Sequence, residues 1–287
     1  MSSATPQELE QKADKKMGAW FGKQSAYDEA GELYSTAANK YKIQRMFVES
    51  GKAFEKAANS FQKCGRPSFD VAQQYLEAAK VYKSVSHEDY LRCQEKAIAI
   101  EIEDSQIRQA ALHLKQTAEA CEGAGDFDRA IEHYTRSCDF YQLEDQKSSV
   151  QSCQTQLAII YSLHKKNYQK ATELFEALGR SYLETSLTRF SAKECWFKAC
   201  ICRLMAKDGE AVREKLRSYE EADPNLTGTF EKTLIESLCE AVDEADEEKF
   251  TSAVANYDSV HRLDPWKTQM LLRMKEDLHK DEENPDL

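Results

Sequence analysis

The sequence predicts an all-α protein built by stacking antiparallel helical hairpins, and three observations lead there. The first is a recurring phrase of small and aromatic residues: Ala30, Tyr34, Ala37, Ala38 and Tyr41; Ala53, Phe54, Ala57, Ala58 and Phe61; Ala72, Leu76, Ala78, Ala79 and Tyr82; Ala130, Tyr134, Cys138 and Tyr141; Ala171, Phe175, Leu178 and Tyr182. Spacings of three and four put each phrase on one helix face. Small residues let two helix backbones approach, and the rings fill the space between them. The second is the scarcity of turn residues, with only 10 Gly and 5 Pro in 287 residues, which disfavours a β-sandwich or a turn-rich α/β enzyme. The third is the rhythm. The phrases advance by roughly twenty residues, so a hairpin takes about forty, near the length of known helical repeats, and such hairpins must stack to bury their faces.

The elements follow in order. Thr5-Pro6-Gln7-Glu8 predicts a helix start, with Thr5 capping, Pro6 in the first turn and Glu8 completing a capping box, and the helix runs to about Lys16. Residues 17–25 then form a loop in which Gly18 and Gly22 bracket Trp20 and Phe21. Breaks between later helices fall at 63–67, 84–86, 122–126 and 164–167. Ser86 with Asp89, and Ser191 with Glu194, read as capping boxes. Gly125-Asp126-Phe127-Asp128-Arg129-Ala130, a turn into a capped helix, is the most tetratricopeptide-like stretch, although no repeat carries that full consensus. Near Ala222-Asp223-Pro224-Asn225 the rhythm stops. Helices are expected at about 227–244, 246–261 and 264–280, the last opened by Asp264-Pro265 and carrying Trp266, Met270, Leu271, Met274 and Leu278 on one face. The expected organisation is a helical-repeat domain over 1–222, a helical bundle over 223–280 and an acidic tail over 281–287.

Composition narrows the function. With 39 Lys and Arg against 50 Asp and Glu, the net charge is −11, which argues against a general nucleic-acid binder. The start of the chain lacks the pattern of a secretory signal, and no apolar run approaches bilayer-spanning length. Nine cysteines, an odd number without a C-x-x-C pair, suit reduced thiols packed as small core residues in the cytoplasm. Cys195, Cys200 and Cys202 offer no metal site, because Cys200 and Cys202 point to different sides of a helix and no His lies nearby. His133 reads as a partly exposed helix residue rather than a base. There is no G-x-x-x-x-G-K-[ST] phosphate loop and no Ser/His/Asp or paired-carboxylate arrangement. Neither enzyme activity nor a cofactor is expected.

Several phrases, in one order over nearly the whole length, resemble a known family. These are Lys12, Lys15 and Lys16 before the Trp-Phe loop; Ala37-Ala38-Asn39; Ala130-Ile131-Glu132-His133-Tyr134 with Ser137 and Asp139-Phe140-Tyr141; Tyr168-Gln169-Lys170-Ala171; and Phe190-Ser191-Ala192-Lys193 with Phe197-Lys198-Ala199 and Cys202. The most specific is Tyr257-Asp258-Ser259, Arg262-Leu263-Asp264, Trp266 and Met270-Leu271-Leu272-Arg273-Met274-Lys275, followed by acids and a leucine. The chain resembles the alpha-SNAP family, soluble attachment proteins of the N-ethylmaleimide-sensitive fusion ATPase. The resemblance implies a tetratricopeptide-like twisted sheet of hairpins with a C-terminal helical bundle. It also implies a cytoplasmic adaptor, peripherally associated with membranes, that coats the four-helix SNARE bundle of syntaxin-type and related helices. Such an adaptor recruits and stimulates the hexameric NSF AAA+ ATPase for SNARE disassembly and hydrolyses nothing itself. Free, it is a monomer; several copies assemble around one bundle.

Three sites follow. Trp20 and Phe21, flanked by Lys16 and Lys23, suit the interface between lipid headgroups and acyl chains; the alternative is that both rings fold back onto the first helices. Asp281, Glu282, Glu283, Asp286 and Leu287 suit a basic face of the ATPase, with Asn284-Pro285 interrupting the acids; the alternative is a solvated tail. SNARE bundles are acidic outside, and bases outnumber acids across 193–217, so Lys193 and Lys198 are expected to face them. The alternative there is ordinary helix-surface charge. Leu112, Ser152 and Thr229 stand where the family carries bases, with Lys115 one turn from Leu112 as a substitute. A different helical-repeat scaffold, such as a chaperone cofactor gripping acidic C-terminal peptides, or a divergent regulatory paralogue, is the competing reading.

Overall fold

The structure is a computed structural model that describes residues 4–18 and 23–283, the last four as helix backbone only. Among the described residues every regular element is helical. The helices are α1 (Pro6–Met17), α2 (Lys23–Ile43), α3 (Phe47–Cys64), α4 (Ser68–Tyr82), α5 (His87–Glu103), α6 (Ile107–Gly123), α7 (Phe127–Leu143), α8 (Lys147–Leu163), α9 (Tyr168–Leu183), α10 (Ala192–Leu204), α11 (Gly209–Ala222), α12 (Phe230–Asp243), α13 (Glu247–Val260) and α14 (Pro265–Glu283). The all-α expectation holds, and the small/aromatic phrases supply most of the core: Tyr34, Tyr41, Phe54, Phe61, Tyr82, Tyr134 and Phe175 are buried among alanines with little or no exposed surface, while Leu76 and Tyr182 are half-buried.

The expected starts are built as expected in most cases. Thr5 Oγ1 accepts from the Glu8 amide at 3.2 Å while Glu8 Oε2 accepts from the Thr5 amide at 3.0 Å, a closed capping box. Ser86, Asp126 and Asp264 each cap their helices. Ser191 does not. It ends a single 3₁₀ turn (Arg189–Ser191) with helical φ and ψ of its own, so its hydroxyl makes no cap bond, and the Glu194 carboxylate goes to Lys198 and Lys267 instead.

The twenty-residue rhythm has a backbone origin. Arg45, Gly65, Ser105, Gly125 and Asp145 all have φ between +52° and +77°, and they stand twenty or forty residues apart. Each lies between two helices, and in each case the next amide bonds a carbonyl five residues back: Met46 to Tyr41, Arg66 to Phe61, Gln106 to Glu101, Asp126 to Cys121 and Gln146 to Tyr141, at 2.7–3.0 Å. This is the Schellman closure, which satisfies carbonyls left open at a helix end and reverses the chain within a few residues. Glycine adopts this φ freely, and other residues accept it at some cost.

The chain forms two compact units, Met1–Gln146 and Lys147–Leu287. The division falls inside the run expected as one repeat domain to residue 222, and no break in the core occurs at 222. In the second unit one apolar core runs without interruption from Ala158 on α8 to Leu278 on α14. The physical reason is that α14 returns to α8: Trp266 Nε1 donates to Ser162 Oγ at 2.9 Å, and Arg273 donates to the Ser162 and Leu163 carbonyls at 3.2 and 2.7 Å. A guanidinium on the open carbonyls at a helix C-terminus is doubly favoured, by hydrogen bonding and by the helix dipole.

Gly125 has φ +77°, and no atom lies within 4 Å of the position a Cβ would take there, whereas a Cβ on Gly179 would meet the Trp196 ring at 2.6 Å. Gly125→Ala is therefore expected to destabilise the first unit by about 1–2 kcal/mol through backbone strain alone. Gly179→Ala is expected to destabilise the second by about 1–3 kcal/mol through overpacking. Amide hydrogen exchange resolved by unit checks both; an unchanged first unit in Gly125→Ala would contradict the turn argument.

Candidate functional site

Helix α10 organises the second unit. Nine of its 13 residues are buried, from Ala192 and Cys195 to Leu204, the signature of a helix packed on all sides. It touches α9, α11, α12 and α14. Trp196 stacks on Tyr219 at 4.7 Å and Phe197 on Tyr257 at 6.1 Å. Glu176 on α9 accepts from the Tyr219 hydroxyl and from Arg203 Nη2, both at 2.6 Å, tying three helices together. Burial pushes the Glu176 carboxyl up, but these two bonds and the Arg203 charge outweigh it and hold its pKa below the ordinary value.

The two lysines expected on this helix have different places. Lys193 is 40% exposed, and its ammonium lies 3.2 Å from the nearly buried Glu231 at the start of α12. Lys198 is only 14% exposed. Its ammonium sits over the rings of Trp266 and Phe175 at 5.3 and 5.9 Å and lies 3.5 Å from Glu194. Lys198 is thus part of the α9–α10–α14 packing, with two π-faces and a carboxylate beside its charge. Sequence spacing does not reveal this, because the rings that cover it come from α9 and α14. Lys267, which sequence spacing does not single out, completes the cluster. It donates to Glu194 at 2.9 Å and lies over Phe197 at 5.1 Å. Burial lowers its pKa and the Glu194 bond and charge raise it, with a net rise. Other bases in 193–217 are also engaged, Arg203 with Glu176, Arg213 with Asp243 and Arg217 with Glu210.

Several of the exposed residues near Lys193 in the chain, and one next to its ion-pair partner, are apolar. Leu187 is 92% exposed, Phe190 80% and Phe230 51%. Phe190 lies in the 3₁₀ turn leading into α10, three residues before Lys193. Phe230 opens α12 immediately before Glu231, the partner of Lys193, with its edge on the His261 ring at 4.9 Å. The signal in the sequence is a phenylalanine and a leucine in a segment without helical periodicity. Their exposure needs the structure.

Lys115 lies half-buried on α6, in the other unit, and Leu112 beside it is 44% exposed. Ser152 is half-buried on α8. Thr229 caps α12, accepting from the Lys232 amide at 3.2 Å, which gives a local reason for a hydroxyl there. Asp281, Glu282 and Glu283 form the last turn of α14. Trp20, Phe21, Asp286 and Leu287 lie outside the described residues.

Comparison with known proteins then decides the family. The model described as soluble NSF attachment protein, SNAP, matches residues 4–279. The chain belongs to the soluble NSF attachment protein family. It is 34% identical to the alpha-soluble NSF attachment protein of Vitis vinifera over 272 residues, covering 94% of this chain and 93% of that protein. It is 33% identical to the Homo sapiens alpha-soluble NSF attachment protein over 265 residues, 92% and 89% of the two chains. It is 30% identical over 287 residues to a probable vesicular-fusion protein sec17 homolog of Schizosaccharomyces pombe, 98% and 99% of the two. Among the described residues no three His, Cys, Asp or Glu side chains could hold a metal ion, and no helix is long and apolar enough to cross a membrane.

All nine thiols are free and buried. Burial pushes Cys93, Cys195 and Cys239 up to about 12 and Cys121 to about 11, with Cys200 and Cys202 higher still. The thiolate is the reactive form, so a thiol reagent at pH 8 is expected to label the native protein slowly and to count nine thiols only in denaturant. Rapid native labelling of Cys200 or Cys202 would contradict the packing around α10. Because the folded pKa of Glu176 is depressed, its contribution is full above its ordinary value of 4.5 and is lost as pH falls through the folded value. Glu176→Gln is expected to flatten the acid side of the stability profile of the second unit while lowering stability at pH 7 by about 1–3 kcal/mol, checked by urea unfolding from pH 3 to 7.

Proposed function

We propose that this chain is the adaptor that joins an assembled SNARE bundle to an NSF-type AAA+ ATPase, so that ATP hydrolysis by the motor disassembles the bundle after membrane fusion. Family membership over residues 4–279 carries this reading. The surface around Lys193 supports it and makes it more specific. A SNARE bundle presents acidic side chains around a helical, partly apolar exterior. Leu187, Phe190 and Phe230 supply exposed apolar contact, and Lys193 supplies a cation whose present partner, Glu231, can be exchanged for an acid on the bundle. Aromatic residues are enriched and charges depleted at the core of interfaces, with polar residues at the rim, which is the arrangement of the two phenylalanines and Lys193. Lys115 contributes from the first unit, and Lys198, which also holds α10 against α14, contributes through the part of its side chain that stays exposed.

The two ends supply the other contacts. Trp20 and Phe21 rest on the membrane surface and raise the adaptor's local concentration near membrane-anchored SNAREs. Asp281, Glu282, Glu283, Asp286 and Leu287 meet a basic face of the ATPase. Helix α14, which the Trp266 and Arg273 bonds fix to α8, carries that acidic end directly. The protein works in the cytoplasm, peripherally on membranes, as a monomer when free and in several copies around one bundle.

ATP-dependent disassembly of a purified SNARE complex, reconstituted with the AAA+ ATPase, tests the reading. Leu187→Ser with Phe190→Ser is expected to weaken SNARE binding about tenfold or more, and Lys193→Glu by about threefold to tenfold, with the salt dependence of a charge contact. Deleting 281–287 is expected to leave SNARE binding intact and abolish ATPase stimulation. Trp20→Ser with Phe21→Ser is expected to slow disassembly on liposomes and barely change it in detergent. Absence of both SNARE binding and ATPase stimulation in the unaltered chain would overturn the proposal and favour a different scaffold.

A further inference from the structure

One end of the first unit has a surface that the adaptor reading alone does not explain. The C-termini of α1 and α3 and the N-termini of α2 and α4 meet there, because the four helices run antiparallel and each packs on the next. Gln24 Nε2 on the first turn of α2 donates to the Cys64 carbonyl at 2.9 Å. Arg66, in the α3–α4 turn, pairs with Asp28 and with Glu32 at 2.6 Å and lies over the Phe61 ring at 4.1 Å. The start of α2 is thus fastened to the α3–α4 turn, and both flanks of the Trp20–Phe21 segment, Gly18 and Lys23, belong to this end. On the first turn of α4, directly after that turn, Phe69 is 61% exposed.

The charges around Phe69 are unevenly matched. Lys15, Lys23 and Lys63 are exposed and form no ion pair among the described residues; Lys63 only approaches the Tyr27 ring, at 5.8 Å. The acids of α2 are taken up, Asp28 and Glu32 by Arg66 and Glu29 by Lys16. Asp70, half-buried, is the neighbouring acid without such a partner. The next turns on the same side of the unit mix both signs: α5–α6 carries exposed Glu103 and Asp104 with exposed Arg108, and α7–α8 carries exposed Leu143 and Asp145 beside Glu144, which pairs with Arg108. An apolar ring among cations without an ion-pair partner among the described residues fits the headgroup region of an anionic bilayer.

We propose that this end is an anionic-lipid contact in which Phe69 inserts as an apolar point, with Lys15, Lys23 and Lys63 on the headgroups. The proposal rests on the membrane reading of the Trp20–Phe21 segment, and the two are separable by experiment. The full-length protein is sedimented with phosphatidylcholine vesicles with and without phosphatidylserine, comparing the unaltered chain, Phe69→Ser, and Trp20→Ser with Phe21→Ser. Phe69→Ser is expected to lower the bound fraction about fivefold on phosphatidylserine vesicles, with unchanged thermal melting because the side chain is exposed. Binding by the unaltered chain is expected to fall when phosphatidylserine is omitted or salt is raised. In a Trp20→Phe background, the fluorescence that Phe69→Trp introduces is expected to be quenched by brominated lipid, while Trp196 and Trp266, buried in the second unit, are not. If Phe69→Ser binds as the unaltered chain does while the double variant loses binding, the Phe69 contact is overturned and the loop reading stands. If Phe69→Ser loses binding and the double variant does not, the loop reading fails and the Phe69 contact stands. No added quenching in the Phe69→Trp variant, or binding indifferent to phosphatidylserine, overturns the proposal.

Discussion

The close approach of helix backbones under aromatic rings is the constraint on which this structure depends. Gly31 on α2 lies under Phe61 of α3, Gly51 on α3 under Tyr82 of α4, and Gly179 on α9 under Trp196 of α10. In each case the helix that follows in the chain lays a ring where a side chain would otherwise stand, and flanking alanines let the pair close. Dense packing of this kind leaves little room for even one added carbon. It gives each hairpin a defined spacing to the next, so that a surface residue is held by a framework rather than by its own contacts.

That framework also decides which charges are available to a partner. In the second unit, α10 is enclosed by four helices, and the cations at its polar margin are drawn inward: Lys198 onto Trp266 and Phe175, Lys267 onto Phe197, and both onto Glu194. A half-buried carboxylate shared by two lysines is stable only as a satisfied set, since removing one member strands the others in a low dielectric. The cost of such a cluster is offset by what it joins, namely α10 to the helix that carries the acidic C-terminal end. Lys193 escapes because it lies at the edge, where the 3₁₀ turn has already exposed Phe190 and Leu187 stands open before it.

How much was legible in the sequence varied with how local the cause was. The Thr5–Glu8 capping box, the caps of Ser86, Asp126 and Asp264, and the bounds of the last three helices are settled within a few residues and were readable to within about three positions. The turns at Gly65 and Gly125 announced themselves by glycine. Those at Arg45, Ser105 and Asp145 did not, because the same left-handed conformation is held there by residues that carry no turn signal, through the 6→1 hydrogen bond and the packing of the helices on either side. The Ser191–Glu194 motif had the right letters and the wrong outcome, since a 3₁₀ turn puts Ser191 itself in helical conformation and the Glu194 carboxylate bonds Lys267, 73 residues away in α14.

The sequence by itself determined the helical class, the twenty-residue rhythm, the family and the two chemically distinctive segments at either end, because these rest on composition, periodicity and short motifs. Tertiary structure alone decided that the core does not stop at residue 222, that Lys198 is internal while Lys193 is not, and that Leu187, Phe190, Phe230 and Phe69 stand in the open. The reason is the same each time. Burial is a property of what comes to lie across from a residue, and in a stack of hairpins that neighbour is supplied by another helix, from the next turn of the repeat or from far along the chain.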